Sequence, residues 1–240
     1  MYTKKHLIES TEIDSRLNLR LADLFRIMQV VATEHAEKID IGKKATIDKG
    51  FFWVITRYSV TIHKYPKYLE TVNVSTYPQG KNKFIYPRNF IITSESGETL
   101  ITASSTWLIL DKATHRITLH LFDDKEVPEE HYENEEPNAV KVDVEDAEFI
   151  EERKVRYSDI DLNGHLNNTR YIEYIVDSLG EEFHKERIIK HITINFEKEV
   201  GAGDTVKLYR KTCDDIDLIQ GKCNEKVVFN VLIKSEKSEK

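Results

Sequence analysis

A short polar stretch combines three kinds of side chain that enzymes use in catalysis. Residues 158–172 read SDIDLNGHLNNTRYI, which places Asp161, Asn163 and His165 at every second position. A carboxylate can act as a general base, an amide can orient water or a carbonyl oxygen, and an imidazole can position a carboxylate. The same residue types also suit a turn that caps a helix, and Gly164 favours such a turn. The stretch by itself leaves both interpretations open, so the surrounding elements must decide between them.

Bulk composition is that of a globular protein and argues against several classes of function. The chain has 240 residues, of which 40% are hydrophobic, and no apolar run approaches the roughly 18 residues that cross a bilayer. The N-terminal sequence, MYTKKHLIESTEID, has no apolar signal core, so a cytoplasmic location is expected. The net charge of −7 argues against a nucleic-acid partner. Cys213 and Cys223 are expected to be free thiols, and the spacing of histidines and cysteines predicts no metal site.

Charge is distributed unevenly along the chain, and this unevenness divides it into two halves. Between positions 123 and 153 there are fourteen Asp or Glu residues and only three Lys or Arg residues. This composition is typical of a solvated, extended connection. The last residues, rich in lysine, glutamate and serine, are typical of a disordered tail. The predicted N-terminal domain, acidic linker, C-terminal domain and tail comprise residues 1–122, 123–148, 149–234 and 235–240, respectively.

The two predicted domains repeat the same order of elements. Apolar residues at helical spacing predict an amphipathic helix from Asn18 to Lys38, with Asn18 as its N-cap, and a second helix from Asn168 to Leu179. Runs of β-branched and aromatic residues follow each helix and predict strands. These runs are residues 51–63, 70–77, 84–93 and 100–110 in the first half, and 187–197, 204–211 and 225–234 in the second. One helix followed by an antiparallel sheet, given twice, indicates a duplicated α+β unit.

Three segments of the sequence match the motifs of one enzyme family. The second half has a D-x-N-x-H segment at Asp161, Asn163 and His165, followed by Leu-Asn-Asn and the predicted helix. The first half has WVITRYSVTIHKYP at residues 53–66 and GKNKFIYPRNF at residues 80–90. In this order the segments resemble the acyl-acyl carrier protein (acyl-ACP) thioesterases of bacteria and plant plastids. The resemblance covers most of the chain and implies a double hotdog fold, with two tandem units that each wrap an antiparallel sheet around a long helix.

The resemblance also implies a reaction and the residues that perform it. It implies hydrolysis of the thioester between a fatty acyl chain and acyl carrier protein (ACP), which releases free fatty acid and holo-ACP and terminates chain synthesis. The family's catalytic group maps onto Asp161, Asn163, His165 and Glu199, with no metal and no cofactor. Some plant members have a cysteine immediately after that glutamate, whereas this chain has Val200. A carboxylate mechanism is therefore expected.

The residues leave two versions of this mechanism open. Asp161 or Glu199 can deprotonate a bound water molecule, or one of them can attack the thioester carbonyl directly and form an anhydride. Backbone N–H groups at the start of the second helix, at Asn167 and Asn168, are expected to be free to bind an oxyanion.

The internal repeat indicates which half carries the chemistry. EIDSRLNLR precedes the first helix, and DIDLNGHLN precedes the second. Aligning Asp14 with Asp161 places Arg16 and Asn18 opposite the amide and the imidazole, so the first half lacks that pair. We therefore predict a catalytic C-terminal half and an N-terminal half that binds the acyl chain.

The resemblance further implies an acidic protein partner, because ACP is strongly acidic and docking requires basic side chains. The candidates all lie in the first half, at Lys43, Lys44, Lys49, Lys64, Lys67, Lys81, Lys83 and Arg88. An acyl-CoA thioesterase, a hotdog hydratase or dehydratase, and a non-catalytic acyl-binding hotdog protein are the alternatives. A fused pair of hotdog units is compatible with a monomer or a homodimer, and the sequence does not specify the acyl chain length.

Overall fold

The computed structural model describes residues 1–119, 121, 122 and 126–238, which group into two compact units. The first unit is Met1–Ala139, and the second begins at Val140. The boundary between the units therefore lies inside the acidic segment. No described helix has the length and apolar character needed to span a membrane.

The N-terminal unit consists of a five-stranded sheet and one long helix. Its elements are β1 (Tyr2–Leu7), α1 (Leu21–Lys38), β2 (Phe51–Ile62), β3 (Thr71–Pro78), β4 (Tyr86–Ser94) and β5 (Thr99–Asp111). The strands lie in the order β1-β3-β4-β5-β2, and every neighbouring pair is antiparallel. The sheet buries its apolar face because α1 presents a stripe of apolar side chains at helical spacing. Phe25 in this stripe meets Tyr58 of β2 with 4.9 Å between the ring centroids.

The C-terminal unit repeats this architecture. Its elements are β6 (Glu148–Lys154), α2 (Asn168–Ser178), α3 (Glu181–Glu186), β7 (Arg187–Phe196), β8 (Thr205–Cys213), β9 (Ile216–Cys223) and β10 (Lys226–Lys237). The order β7-β10-β9-β8-β6 is again antiparallel throughout, so each strand has a counterpart in the N-terminal sheet. Tyr171 of α2 packs against Phe196 and Phe229, each with 5.5 Å between ring centroids. The duplicated α+β unit predicted from the sequence is confirmed.

Three strands and one short helix were missed by the sequence patterns. β1 and β6 are short edge strands rich in charged residues, and an edge strand needs only one hydrogen-bonded neighbour. β9 is an inner strand, but it carries buried polar side chains that pair with neighbouring strands. Asp217 accepts a hydrogen bond from Arg210 at 2.8 Å, and Gln220 donates to Asn230 at 2.8 Å. Such positions break the apolar alternation by which strands are recognised.

The prediction of a disordered tail is wrong for residues 235–237, which belong to a strand. β10 continues to Lys237, and residues Ser235, Glu236 and Lys237 pair with the first part of β7. Glu239 and Lys240 lie outside the described residues. The start of the tail is therefore the end of a strand, in which the ladder satisfies the backbone and the charged side chains of Glu236 and Lys237 are exposed.

The acidic segment is irregular, as expected, but it is not a solvated connection. Residues 126–147 contain no helix or strand, yet Val127, Ala139 and the carboxylate of Glu136 are buried. Glu136 accepts hydrogen bonds from the hydroxyls of Ser59 at 2.9 Å, Thr61 at 3.0 Å and Thr102 at 2.9 Å. These hydroxyls replace water around the Glu136 carboxylate, so this buried side chain attaches the acidic segment to the N-terminal sheet. Residues 123–125 of the predicted linker lie outside the described part.

Candidate active site

The predicted polar residues lie on one loop between β6 and α2. A 3-10 turn at Tyr157–Asp159 leads into a tight turn that Asp161 and His165 close. The Asp161 backbone N–H donates to the carbonyl of His165 at 2.8 Å, and the Gly164 N–H donates to the carbonyl of Asp161 at 3.1 Å. Gly164 has a φ of +83°, in the left-handed region that glycine adopts without steric cost. The D-x-N-G-H segment therefore forms this turn as well as supplying polar groups.

Asp161 uses one carboxylate oxygen to hold this loop. Its Oδ1 accepts hydrogen bonds from the backbone N–H of Asn163 at 2.8 Å and from that of His165 at 3.3 Å. Both bonds orient the loop backbone from which the amide and imidazole side chains project. The turn-forming interpretation and the catalytic interpretation of Asp161 are thus compatible.

The backbone also brings His165 against Glu199. His165 forms an isolated β-bridge with Gly201, and the Leu166 N–H donates to the carbonyl of Val200 at 2.8 Å. As a result, Nε2 of His165 lies 3.4 Å from Oε2 of Glu199. The two side chains are 28% and 36% exposed, respectively, so the pair is accessible from solvent. The structure brings together the imidazole and the carboxylate that the family resemblance assigned to one site.

Two further polar groups lie close to His165 in the sequence. The Asn163 side chain is exposed and has no hydrogen-bond partner within the described part of the chain. The Asn168 N–H, at the first position of α2, likewise has no acceptor among the described residues. The expectation for Asn167 is wrong, because its N–H donates to the carbonyl of Asp159 at 2.9 Å. Asn167 is instead the N-cap, and its Oδ1 accepts from the Thr169 N–H at 2.9 Å.

The N-terminal unit contains the same loop without the same chemistry. Oδ1 of Asp14 accepts from the backbone N–H groups of Arg16 at 2.8 Å and Asn18 at 2.9 Å. Asn18 therefore occupies the position of His165, as the alignment of the two halves predicts. The Leu19 N–H donates to the carbonyl of Pro66 at 2.9 Å. By this correspondence the residue before Pro66, Tyr65, occupies the position of Glu199.

The same loop shows why the predicted helix start at Asn18 is wrong. Asn18 is buried, forms a β-bridge with Lys67, and accepts a hydrogen bond from the Lys67 ammonium at 2.6 Å. Its side chain is thus committed to the neighbouring strand connection and does not cap a helix. α1 begins two residues after Leu19, with Arg20 at the N-cap position.

Tyr171 was not among the predicted site residues, although the charges of Glu199 and Asp161 act on its phenol. It is 3% exposed, and burial followed by the negative charges of Glu199 and Asp161 raises its pKa. In the sequence, Tyr171 lies on the apolar face of α2, and this position predicts a buried core residue and gives no sign of a functional one.

The remaining chemistry of the unit is limited. Cys213 is an exposed free thiol, and Cys223 is a buried free thiol whose pKa is raised by burial. The residue after Glu199 is the buried Val200. Among residues 1–119, 121–122 and 126–238, no group of three or more His, Cys, Asp or Glu is arranged to hold a metal ion. The groups assembled at the loop can activate water and bind a carbonyl oxygen.

The prediction that Arg88 contributes to docking is wrong, because this side chain is buried in the core. It is 6% exposed and donates to Nδ1 of His35 at 3.0 Å and to Oγ1 of Thr76 at 3.1 Å. Burial, followed by the charge of Arg88, lowers the pKa of His35 to about 4, so the neutral ring can accept this bond. Lys43 and Lys64, two other candidates, are exposed but form ion pairs with nearby carboxylates.

Comparison with known protein families places this geometry in context. Residues 1–126 match the acyl-ACP thioesterase N-terminal domain, and residues 142–240 match the acyl-ACP thioesterase C-terminal domain. The chain belongs to the acyl-ACP thioesterase family. The loop with Asp161, Asn163 and His165, together with Glu199, lies within the matched C-terminal domain.

Individual members of the family show how far the likeness extends. The chloroplastic palmitoyl-acyl carrier protein thioesterase of Arabidopsis thaliana is 26% identical over 229 residues, which is 86% of this chain and 54% of the plant protein. The chloroplastic oleoyl-acyl carrier protein thioesterase 1 of the same plant is 25% identical over 235 residues, 90% of this chain and 65% of the relative. The chain thus spans about half to two thirds of the length of these curated relatives.

A solved structure confirms the fold. An acyl-ACP thioesterase from Bacteroides thetaiotaomicron superposes with a TM-score of 0.88 at 23% identity, covering 98% of this chain and 97% of that one. The predicted α+β fold of two tandem hotdog units is confirmed.

Proposed function

We propose that the protein hydrolyses the thioester of a fatty acyl chain carried on ACP, releasing free fatty acid and holo-ACP and so terminating fatty acid synthesis. The contact between His165 and Glu199 carries this proposal, because it places an imidazole beside a carboxylate in a solvent-accessible loop. Membership of the acyl-ACP thioesterase family supports the choice of substrate. Two Arabidopsis relatives, a palmitoyl-ACP thioesterase and an oleoyl-ACP thioesterase, support it further.

The proposed roles follow from which groups are already engaged. A thioester needs little acid assistance, because its leaving thiol has a pKa of ~8.5. Oδ1 of Asp161 is occupied by two backbone donors, whereas Glu199 contacts His165, so Glu199 is the stronger candidate for the base. In this scheme Asp161 positions the loop and His165 orients Glu199.

The bond changes of hydrolysis then follow in order. Glu199 accepts a proton from water as the water oxygen attacks the thioester carbonyl. In this scheme the Asn163 amide and the Asn168 N–H donate to the oxyanion. Collapse of the tetrahedral intermediate breaks the C–S bond, and the departing thiolate recovers the proton. Direct attack by Glu199, through an anhydride, remains the alternative route to the same products.

Three further features belong to this proposal. The N-terminal unit would bind the acyl chain, which is supported by its copy of the loop having Asn18 and Tyr65 where the C-terminal unit has His165 and Glu199. A cytoplasmic location is supported by the two free thiols. The working species would be a monomer or a homodimer, which size-exclusion chromatography with light scattering would distinguish.

A thiol-release assay over a panel of acyl-ACP chain lengths tests the proposal. We expect the unmodified protein to release holo-ACP, and Glu199→Gln to lower kcat by roughly 10²–10⁴-fold, the range typical of a lost general base. Glu197→Gln is the matched control, since Glu197 is exposed and lies two residues away. Its kcat should stay within twofold of the unmodified value.

The alternatives predict different results in the same assay. Equal or faster turnover of acyl-CoA would reject the carrier-protein assignment in favour of an acyl-CoA thioesterase. Hydration or dehydration of the acyl chain without thiol release would indicate a hotdog hydratase. Acyl binding without any turnover would indicate a non-catalytic protein.

A further inference from the structure

We propose that ACP docks on the loop of the C-terminal unit itself, through Lys154, Arg156, Tyr157 and Leu162, here called the docking segment. This inference rests on the proposed function, and it places the docking surface in the half of the chain where the sequence offered no candidates. Three observations carry it: apolar exposure, comparison with the N-terminal loop, and the sign of the exposed charges.

The first observation is that two large apolar side chains project into solvent at the candidate site. Tyr157 is 92% exposed and Leu162 is 84% exposed, more than any other large apolar side chain in the described part of the chain. Leu162 lies between Asp161 and Asn163 on the loop that carries the candidate site. Two apolar side chains left this open on the loop of the candidate site offer apolar area that a partner protein would bury.

The second observation comes from the duplicated loop. The Arg156 N–H donates to Oδ2 of Asp159 at 2.9 Å, and the Glu9 N–H donates to Oε2 of Glu12 at 3.0 Å. This shared hydrogen bond makes Arg156 and Glu9 equivalent. The N-terminal loop therefore has an acidic residue where the C-terminal loop has a basic one.

The same correspondence assigns the two apolar positions. Tyr157 follows Arg156 as Ser10 follows Glu9, and Leu162 follows Asp161 as Ser15 follows Asp14. Both positions are thus polar in the loop that lacks the His–Glu pair. Since the two loops share one backbone arrangement, the apolar side chains are not required by the turn.

The third observation is the sign of the exposed charges. In residues 154–165 the exposed charged side chains are Lys154 and Arg156, because the two aspartates there are half-buried. In the equivalent residues 7–18 the exposed charged side chains are Glu9 and Asp14. Neither Lys154 nor Arg156 forms an ion pair within the described residues.

These observations together favour an acidic protein as the occupant. The exposed charges of residues 154–165 favour an acidic partner, whereas those of residues 7–18 disfavour one. The phosphates of CoA could use the two cations but would leave the apolar pair uncovered. A carrier protein with an acidic surface and apolar contacts would use both, which is why we assign the docking segment to ACP.

The N-terminal loop also supplies a variant that should fold. The triple substitution Arg156→Glu, Tyr157→Ser and Leu162→Ser installs residues that the same turn already accommodates in the first unit. We expect KM for acyl-ACP to rise at least tenfold while kcat stays within twofold. Turnover of an acyl-N-acetylcysteamine thioester, which has no carrier protein, should be unchanged. The KM of the unmodified protein for acyl-ACP should rise with salt, and that of the variant should depend on salt less.

A matched control and two outcomes complete the experiment. Glu9→Ala with Ser15→Ala alters the equivalent surface of the N-terminal loop and should leave KM for acyl-ACP unchanged. An unchanged KM in the folded triple variant would overturn the docking inference, as would an equal loss of activity on the N-acetylcysteamine thioester. If the unmodified protein does not hydrolyse acyl-ACP, the proposed function fails, and binding of apo-ACP decides the docking inference separately. Binding that weakens at least tenfold in the triple variant supports it, and the absence of binding to the unmodified protein overturns it.

Discussion

Asp161 and its counterpart Asp14 form the same turn, but only the loop of Asp161 carries the His–Glu pair. Substituting each in turn therefore separates the effect on stability from the effect on catalysis. Each carboxylate holds its turn with two backbone hydrogen bonds, at 2.8 and 3.3 Å for Asp161 and at 2.8 and 2.9 Å for Asp14. Substitution by alanine removes both bonds in either unit. Because both loops are partly exposed, water recovers part of the loss, and we expect about 1–2 kcal/mol of destabilisation in each case. For a chain of this size that corresponds to a fall in Tm of roughly 2–8 °C.

The two alanine variants should differ in activity although they agree in stability. Asp161→Ala should lower kcat for acyl-ACP at least tenfold, because the amide and imidazole lose their support. Asp14→Ala should leave kcat within twofold, since its loop carries no His–Glu pair. Thermal unfolding followed by circular dichroism measures the first effect, and thiol release at saturating acyl-ACP measures the second.

Asp161→Asn then distinguishes the roles of the carboxylate. Its amide oxygen can accept the same two hydrogen bonds, so stability should return to within about 0.5 kcal/mol of the unmodified protein. We expect kcat to recover to within about fivefold, because the proposed role of Asp161 is to position the loop. A variant that is as stable as the unmodified protein but as inactive as Asp161→Ala would refute this reasoning and make the charge itself part of the reaction.

Three further predictions concern the amide, the buried glutamate and the thiols. Asn163→Ala should lower kcat at least tenfold without changing stability, because the exposed amide has no internal partner; unchanged thiol release would remove it from the site. Glu136→Ala should lower the free energy of unfolding by about 3–5 kcal/mol, since three hydroxyls lose their acceptor, whereas Glu133→Ala on the same segment should cost less than ~0.5 kcal/mol in urea unfolding. Cys213→Ser and Cys223→Ser should both retain full turnover, and loss of activity in either folded variant would reopen a thiol mechanism.

Local chemistry was sufficient to predict the repeated unit and its main elements. The apolar stripe of α1, including Leu24, Phe25 and Met28, is buried where helical periodicity places it. The segment around Asp161 was predicted to form a turn before a helix, and the repeat correctly paired it with the segment around Asp14. Periodicity succeeds here because it reports which face of an element must leave water, and that depends on neighbours within one or two turns.

Elements whose stability depends on distant partners could not be predicted in this way. The sequence of β9 predicts no strand, because its buried polar side chains are stabilised only by hydrogen bonds to Arg210 and Asn230. The charged sequence around Glu136 predicts a solvated segment, whereas hydroxyls of β2 and β5 donate hydrogen bonds to its buried carboxylate. The sequence predicts Arg88 to be a surface cation, yet its guanidinium is buried and donates a hydrogen bond to the neutral ring of His35. In each case the cost of burying a polar group is offset by a partner far away in the sequence.

The sequence by itself determined the residue types of the site, its turn and the asymmetry between the two copies of the loop. Only the tertiary structure decided that His165 and Glu199 touch, that Oδ1 of Asp161 is engaged in the turn, and that Tyr157 on the same loop is 92% exposed. The physical reason is that a turn forms from hydrogen bonds within a few residues. A contact across 34 positions exists only once the connection between β7 and β8, which carries Glu199, has been placed against the loop by the bridge between His165 and Gly201.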